Sequence, residues 1–194
     1  GDKIMKTGTK INPKGGKITL PALGTFDTLN PYGLKGIPPM ESISPFGITE
    51  MNEPLMIGTS WYLESGDEPQ SAYCLVCSHI EYPGDYRWVI FQINPLARFH
   101  NGDPITAHDV VHSYELLVSD AANPLYKNIY TSIDKVEALS DARVKFTFRD
   151  AGNRSLILRA GELPVMSKQH WQTHSFAESS GVPFAPAGTR PDAP

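Results

Sequence analysis

Residues 88–118 constrain the fold more than any other part of the chain. Trp88-Val89-Ile90-Phe91-Gln92-Ile93 is rich in β-branched and aromatic residues and reads as a strand. Asn101-Gly102-Asp103-Pro104 then supplies turn chemistry, with Asn-Gly suited to positive φ. Thr106 follows as an N-cap, and Asp109, three residues on, can close a capping box in place of the usual Glu. Val110, Tyr114 and Leu117, with Val111 beside them, recur at helical spacing. A strand, a tight turn and an amphipathic helix in direct succession must bury their apolar faces on one shared core.

The flanking segments extend this pattern. Tyr82-Pro83-Gly84-Asp85 is a turn that makes Cys74–Tyr82 and the Trp88 strand a hairpin. Val136–Leu139 and Val144–Phe148 are strands around a Ser140-Asp141-Ala142 turn. Lys17–Leu20 alternates as a first strand after the Lys14-Gly15-Gly16 turn. Residues 125–132 and 155–160 read as short helices, and Met51–Trp61 as another, interrupted at Glu53-Pro54. Hairpins mixed with helices, without a regular βαβ repeat, give the class α+β. The 16 glycines and 17 prolines among 194 residues exclude a helix bundle or coiled coil. The expected organisation is an N-terminal extension over 1–16, a packed unit over 17–175, and a Pro/Ala-rich unpacked tail over 176–194.

A net charge of −4 and the absence of a basic stripe argue against nucleic acid. No apolar run is long enough to span a membrane. The chain opens Gly-Asp-Lys without an apolar signal segment, as an intracellular protein or a mature, trimmed form would.

Two constellations invite chemistry. His108 and His112 stand one helical turn apart with Asp109 after the first, the spacing of a zinc-hydrolase helix. Asp is shorter than the usual Glu, and no third ligand is fixed, although His100 and Glu115 are candidates. Two solvated histidines are the reading the residues favour. Cys74 and Cys77 form a CxxC, but Ser78-His79-Ile80-Glu81-Tyr82-Pro83 after it is not a helix start, and no second ligand pair exists. Two small buried residues are expected there. No nucleophile elbow and no nucleotide-binding glycine motif occurs. The expectation is therefore no catalytic residue, no metal and no cofactor.

The stretch from Trp88 to Tyr114 is far more specific than these. Trp88, Phe91, Ile93, Arg98, Phe99, Asn101, Gly102, Pro104, Thr106, Ala107, Asp109 and Val110 fall, with unbroken spacing, on a pattern of strand, aromatic Asn-Gly turn and Pro-Ile-Thr-Ala-x-Asp-Val helix start. It resembles the signature of the bacterial extracellular solute-binding proteins of family 5, the peptide- and nickel-type binding proteins of ABC importers. Asn94 departs from the pattern, which usually has Arg or Lys there. Gly24-Thr25-Phe26-Asp27 through Pro31, Glu81-Tyr82-Pro83, and Gly161 to Trp171 resemble the Yej-type peptide-binding branch.

The resemblance implies a type-II-like periplasmic binding protein fold and, from the missing continuation after Gly188-Thr189, an N-terminal fragment with an incomplete first lobe and no second lobe. It implies a substrate-binding component of an ABC transporter that captures peptides or peptide-like solutes without catalysis. The partners implied are the solute and the membrane permease subunits, with no nucleic acid, and the location is periplasmic or, in a parent form, cell-surface lipoprotein. The ligand-binding residues implied are Leu23, Gly24, Thr25 and Phe26, then Tyr126, then Gly161, Glu162 and Leu163. Asp27 and Asn30 are assigned to holding their turn. A zinc hydrolase using His108 and His112, and a stand-alone interaction module, are the alternatives.

Overall fold

Strand β4 (Trp88–Ile93) lies inside a four-stranded antiparallel sheet, and its sequence shows why: Val89, Ile90, Phe91 and Ile93 are all buried. The computed structural model of the chain describes residues 28, 30–36, 52–58 and 71–177. The expected first strand at 17–20, the Leu23–Phe26 segment, Asp27, the extension over 1–16 and residues 178–194 lie outside them.

Two strands precede β4 in a separate antiparallel ribbon, β1 (Met56–Gly58) and β2 (Ala72–Cys74). Strand β3 (Cys77–Glu81) then forms the expected hairpin with β4 across the Tyr82–Asp85 turn. Helices α1 (Ala107–Val118) and α2 (Pro124–Ile129) follow, then β5 (Ile133–Ser140) and β6 (Arg143–Phe148), then α3 (Ser155–Gly161) and α4 (Lys168–Thr173). The sheet order is β3-β4-β6-β5, so β6 leaves its hairpin partner on one side and pairs with β4 on the other. β6 alternates strictly: Val144, Phe146 and Phe148 point into the core, while Arg143, Lys145 and Thr147 do not. Phe146 meets Phe91 edge to face, ring centroids 5.5 Å apart. Helix α1 covers this face with Ala107, Val110 and Leu117.

Asp109 ties the helix to the rest. Its Oδ2 accepts from the Thr106 N–H at 2.9 Å and the Thr106 hydroxyl at 2.7 Å. Its Oδ1 accepts from the Lys168 N–H at 2.9 Å, so one buried carboxylate holds the first turns of both α1 and α4. Ser113, one turn on, receives the Met166 N–H at 2.8 Å. Of the Asn-Gly pair, only Gly102 takes positive φ, at 90°.

Three expectations need correction. Met51–Trp61 is not a helix over its described part: 56–58 is strand β1, because Pro54 cannot continue a helix and the carbonyls of Pro54 and Leu55 accept from the 75–77 loop instead. Cys74 and Cys77 are not two inert buried thiols: they form a disulfide that links β2 to β3. The two short strands bring the cysteines together, a geometry that a CxxC judged for a helix or metal context does not reveal. Helix α4 was not expected; Ser167 caps it, accepting from the His170 N–H at 3.3 Å. In addition, Phe176, placed in the tail by composition, is buried against Trp171 at 4.8 Å between ring centroids, so packing reaches at least that residue.

Candidate functional site

The turn before the first described loop is built by Asn30, as its Asn-Pro sequence suggests. Its N–H donates to Thr28 Oγ1 at 3.0 Å, its Oδ1 accepts from the Tyr32 N–H at 3.1 Å, and its Nδ2 donates to the Phe176 carbonyl at 3.0 Å. Asn30 therefore holds the turn. The loop then docks on the segment that starts α2: Leu34 N–H donates to the Ala121 carbonyl, and Asn123 N–H to the Tyr32 carbonyl, each at 2.9 Å. Asn123 caps α2 through the Leu125 N–H at 3.0 Å, and Pro124 occupies the first turn.

This docking sets Tyr32 edge to face on Tyr126, 5.3 Å between centroids. Tyr126 is half-buried, and burial raises its pKa above the usual tyrosine value. Tyr130, one turn later, is buried and its pKa is pushed far up, first by burial, then by the neighbouring Tyr126 and Glu162, with Arg159 opposing. Both phenols are thus held neutral. The buried Asn52 donates its Nδ2 to the Tyr32 hydroxyl at 3.3 Å, while its Oδ1 is buried without a hydrogen-bond partner.

Two of the residues expected at the site, Tyr126 and Glu162, both act on Tyr130, each helping to raise its pKa. Glu162 stands at the end of α3 and lies against β1: a Cβ added to Gly58 would sit 3.4 Å from Glu162 Oε1. Its neighbours in the turn are inside: Leu163 is fully buried, and Gly161 is covered by Met56. Of these three residues Glu162 alone is only partly buried, and the other two support it. Leu23, Gly24, Thr25 and Phe26 lie outside the described residues. Sequence reasoning missed Tyr32, Asn52 and Tyr130. Tyr130 carried a usable signal, being four residues after Tyr126 on a helical segment.

The histidine pair has a different setting. His108 Nε2 is 3.3 Å from Asp141, and His112 Nδ1 is 3.6 Å from Glu115. Among the described residues no three His, Cys, Asp or Glu side chains come together as a metal site. His108 and Asp109 share the first turn of α1, but Asp109 is committed to backbone N–H groups. The segment around Tyr126 offers aromatic faces and phenol hydroxyls, and the α3 end a carboxylate.

The family model described as bacterial extracellular solute-binding proteins, family 5 Middle, matches residues 60–191. The chain belongs to this family. Among curated relatives of this family 5 protein, YejA of Escherichia coli (strain K12) is 35% identical over 176 residues, 91% of this chain and 27% of that protein. The peptidoglycan-binding protein YepA of Agrobacterium fabrum is 31% identical over 182 residues, 92% of this chain and 29% of that one. The chain thus spans 27% and 29% of the lengths of these relatives. The fold is that of the periplasmic binding proteins: OppA of Listeria monocytogenes bound to peptide matches with a TM-score of 0.52 at 16% identity, over 66% of this chain and 27% of that one. Among the described residues no helix is long and apolar enough to cross a membrane.

Proposed function

We propose that this chain is part of the substrate-binding component of an ABC importer and captures peptides or peptide-like solutes without transforming them. What carries the reading is membership of a solute-binding family, with the half-buried Tyr126 set edge to face on Tyr32 and the partly buried Glu162 held against β1. A half-buried tyrosine face can cover the apolar part of an extended peptide, and a carboxylate can receive its amino group. Leu23, Gly24, Thr25 and Phe26 are further ligand-binding residues in this reading, with Gly161 and Leu163 setting the position of Glu162. The packed unit spans roughly 17–175, extended by Phe176, and forms part of the first lobe, the second lobe closing on the ligand from the opposite side. Permease subunits are the partners that receive the ligand. The setting is periplasmic, and the Cys74–Cys77 disulfide supports an oxidising compartment.

The test is thermal unfolding of the purified chain with trialanine. A ligand that binds the folded state alone adds RT ln(1 + [L]/Kd), about 1.4 kcal/mol at tenfold excess over Kd. A rise in midpoint that Glu162→Gln and Tyr126→Ala both reduce is expected. A rise that neither substitution alters would place the ligand elsewhere, and no rise with trialanine at about 10 mM, a concentration that detects a millimolar Kd, would refute peptide capture by this chain.

A further inference from the structure

The Cys74–Cys77 disulfide stands between two sheets. Cys74 is in register with Met56 of β1, and Cys77 with Ile93 of β4, so the bridge fastens the small ribbon to the main sheet. The loop it closes donates three backbone N–H groups to one segment: Leu75 and Cys77 to the Leu55 carbonyl at 3.0 and 3.2 Å, and Val76 to the Pro54 carbonyl at 3.4 Å. That segment turns its other side to the chain after α3. The Val165 N–H donates to the Glu53 carbonyl at 3.2 Å, and Pro54 pairs with Pro164 as an isolated bridge. Next along β1, Met56 fills the space over Gly161, where an added Cβ would fall 2.9 Å from Met56 Cβ. Gly58 then gives Glu162 its resting place. A continuous packed path, one short segment deep, runs from the disulfide to Glu162.

We propose that the Cys74–Cys77 disulfide is a positioning element for the Gly161–Leu163 turn, holding segment 53–58 in the register that places Glu162. Its consequence for ligand affinity rests on the reading above that Glu162 faces the ligand; the placement of the turn does not. The physical reason is the size of the ribbon. Two strands of three residues each are too short to hold their own register in water. The covalent link limits the freedom that the loop regains when the ribbon opens. A dithiol reductant supplies two electrons and two protons, the Sγ–Sγ bond becomes two thiols, and the reductant closes to its own disulfide. The carbonyls of Pro54 and Leu55 then face a loop that is free to leave.

Hydrogen exchange read by mass spectrometry on the full chain tests this, oxidised, reduced with dithiothreitol, and as the Cys74→Ser/Cys77→Ser variant. Amides of 55–58 and 161–165 should exchange about tenfold or more faster in the reduced and variant forms, with β4 and β6 unchanged, as a local opening requires. Reoxidation should restore protection in the natural chain and not in the variant. Unchanged exchange at 161–165, or equal acceleration through β4 and β6, would overturn the proposal. Trialanine titration of the same samples reads the consequence for the ligand: weaker binding on reduction supports it, and equal binding despite faster exchange at 161–165 refutes the ligand-facing half. If the oxidised protein binds no trialanine, peptide capture fails while exchange still decides the positioning.

Discussion

Replacing Asp109 by Ala should loosen two helices at once. The carboxylate accepts from Thr106 N–H, Thr106 hydroxyl and Lys168 N–H at 2.9, 2.7 and 2.9 Å. Loss of the cap on α1 costs about 1 kcal/mol, within a range of about 0.5–2. Lys168 N–H, at the start of α4 in a partly buried setting, loses its partner, at about 1–3 kcal/mol. The two together come to about 2–4 kcal/mol, a large share of the roughly 5–15 kcal/mol that holds a typical domain. Urea unfolding followed by tryptophan fluorescence measures it directly, since Trp171 sits in α4 and Trp88 in β4. Asp109→Asn should fall short of the full loss, because one oxygen survives to serve one of the two helices. An Asp109→Ala loss under about 0.5 kcal/mol with an unchanged m-value would refute the reasoning, since the carboxylate would then be dispensable to both helix starts.

Three further outcomes rest on packing and charge. Phe146→Ala should cost about 3–5 kcal/mol in urea unfolding, because the ring is fully buried against Phe91 at the centre of the sheet. Gly161→Ala should cost about 1–3 kcal/mol, since its Cβ would fall 2.9 Å from Met56 Cβ; a neutral result would show that Met56 yields freely. His170 has its pKa lowered, first by burial and then by the stacked His174 ring, 4.2 Å away. A lowered imidazole pKa means the unfolded chain takes up the proton first. Stability is therefore complete above the unfolded value of about 6.5 and is lost as pH falls through it towards the folded value. His170→Gln should flatten the dependence of the urea midpoint between pH 7.5 and 5.5, on the acid side of that window; an unchanged slope would assign it to other groups.

Local pattern in the sequence determined the strand at 88–93, the turn with Gly102, the Thr106–Asp109 cap, the α1 stripe and the 136–148 hairpin. Each depends on residues within a few positions of one another, where propensity and hydrogen-bond reach are enough. The spacing of those residues also marked the family. Tertiary structure decided the rest. Met51–Trp61 reads as a short helix interrupted at Glu53-Pro54, yet 56–58 became a strand because β2 and the 75–77 loop offered its backbone partners. The cysteines became a disulfide because two short strands converge there. Val110 and Leu117 met the core as expected, but the bond that Asp109 accepts from the Lys168 N–H spans 59 residues, and no spacing rule predicts it. At the candidate site, Tyr126 and Glu162 are expected one by one, from a resemblance that covers each separately. The edge contact of Tyr32 on Tyr126 and the support of β1 beneath Glu162 join segments far apart in the chain. Such contacts depend on how faces close on one another, and that is settled only when the whole core packs.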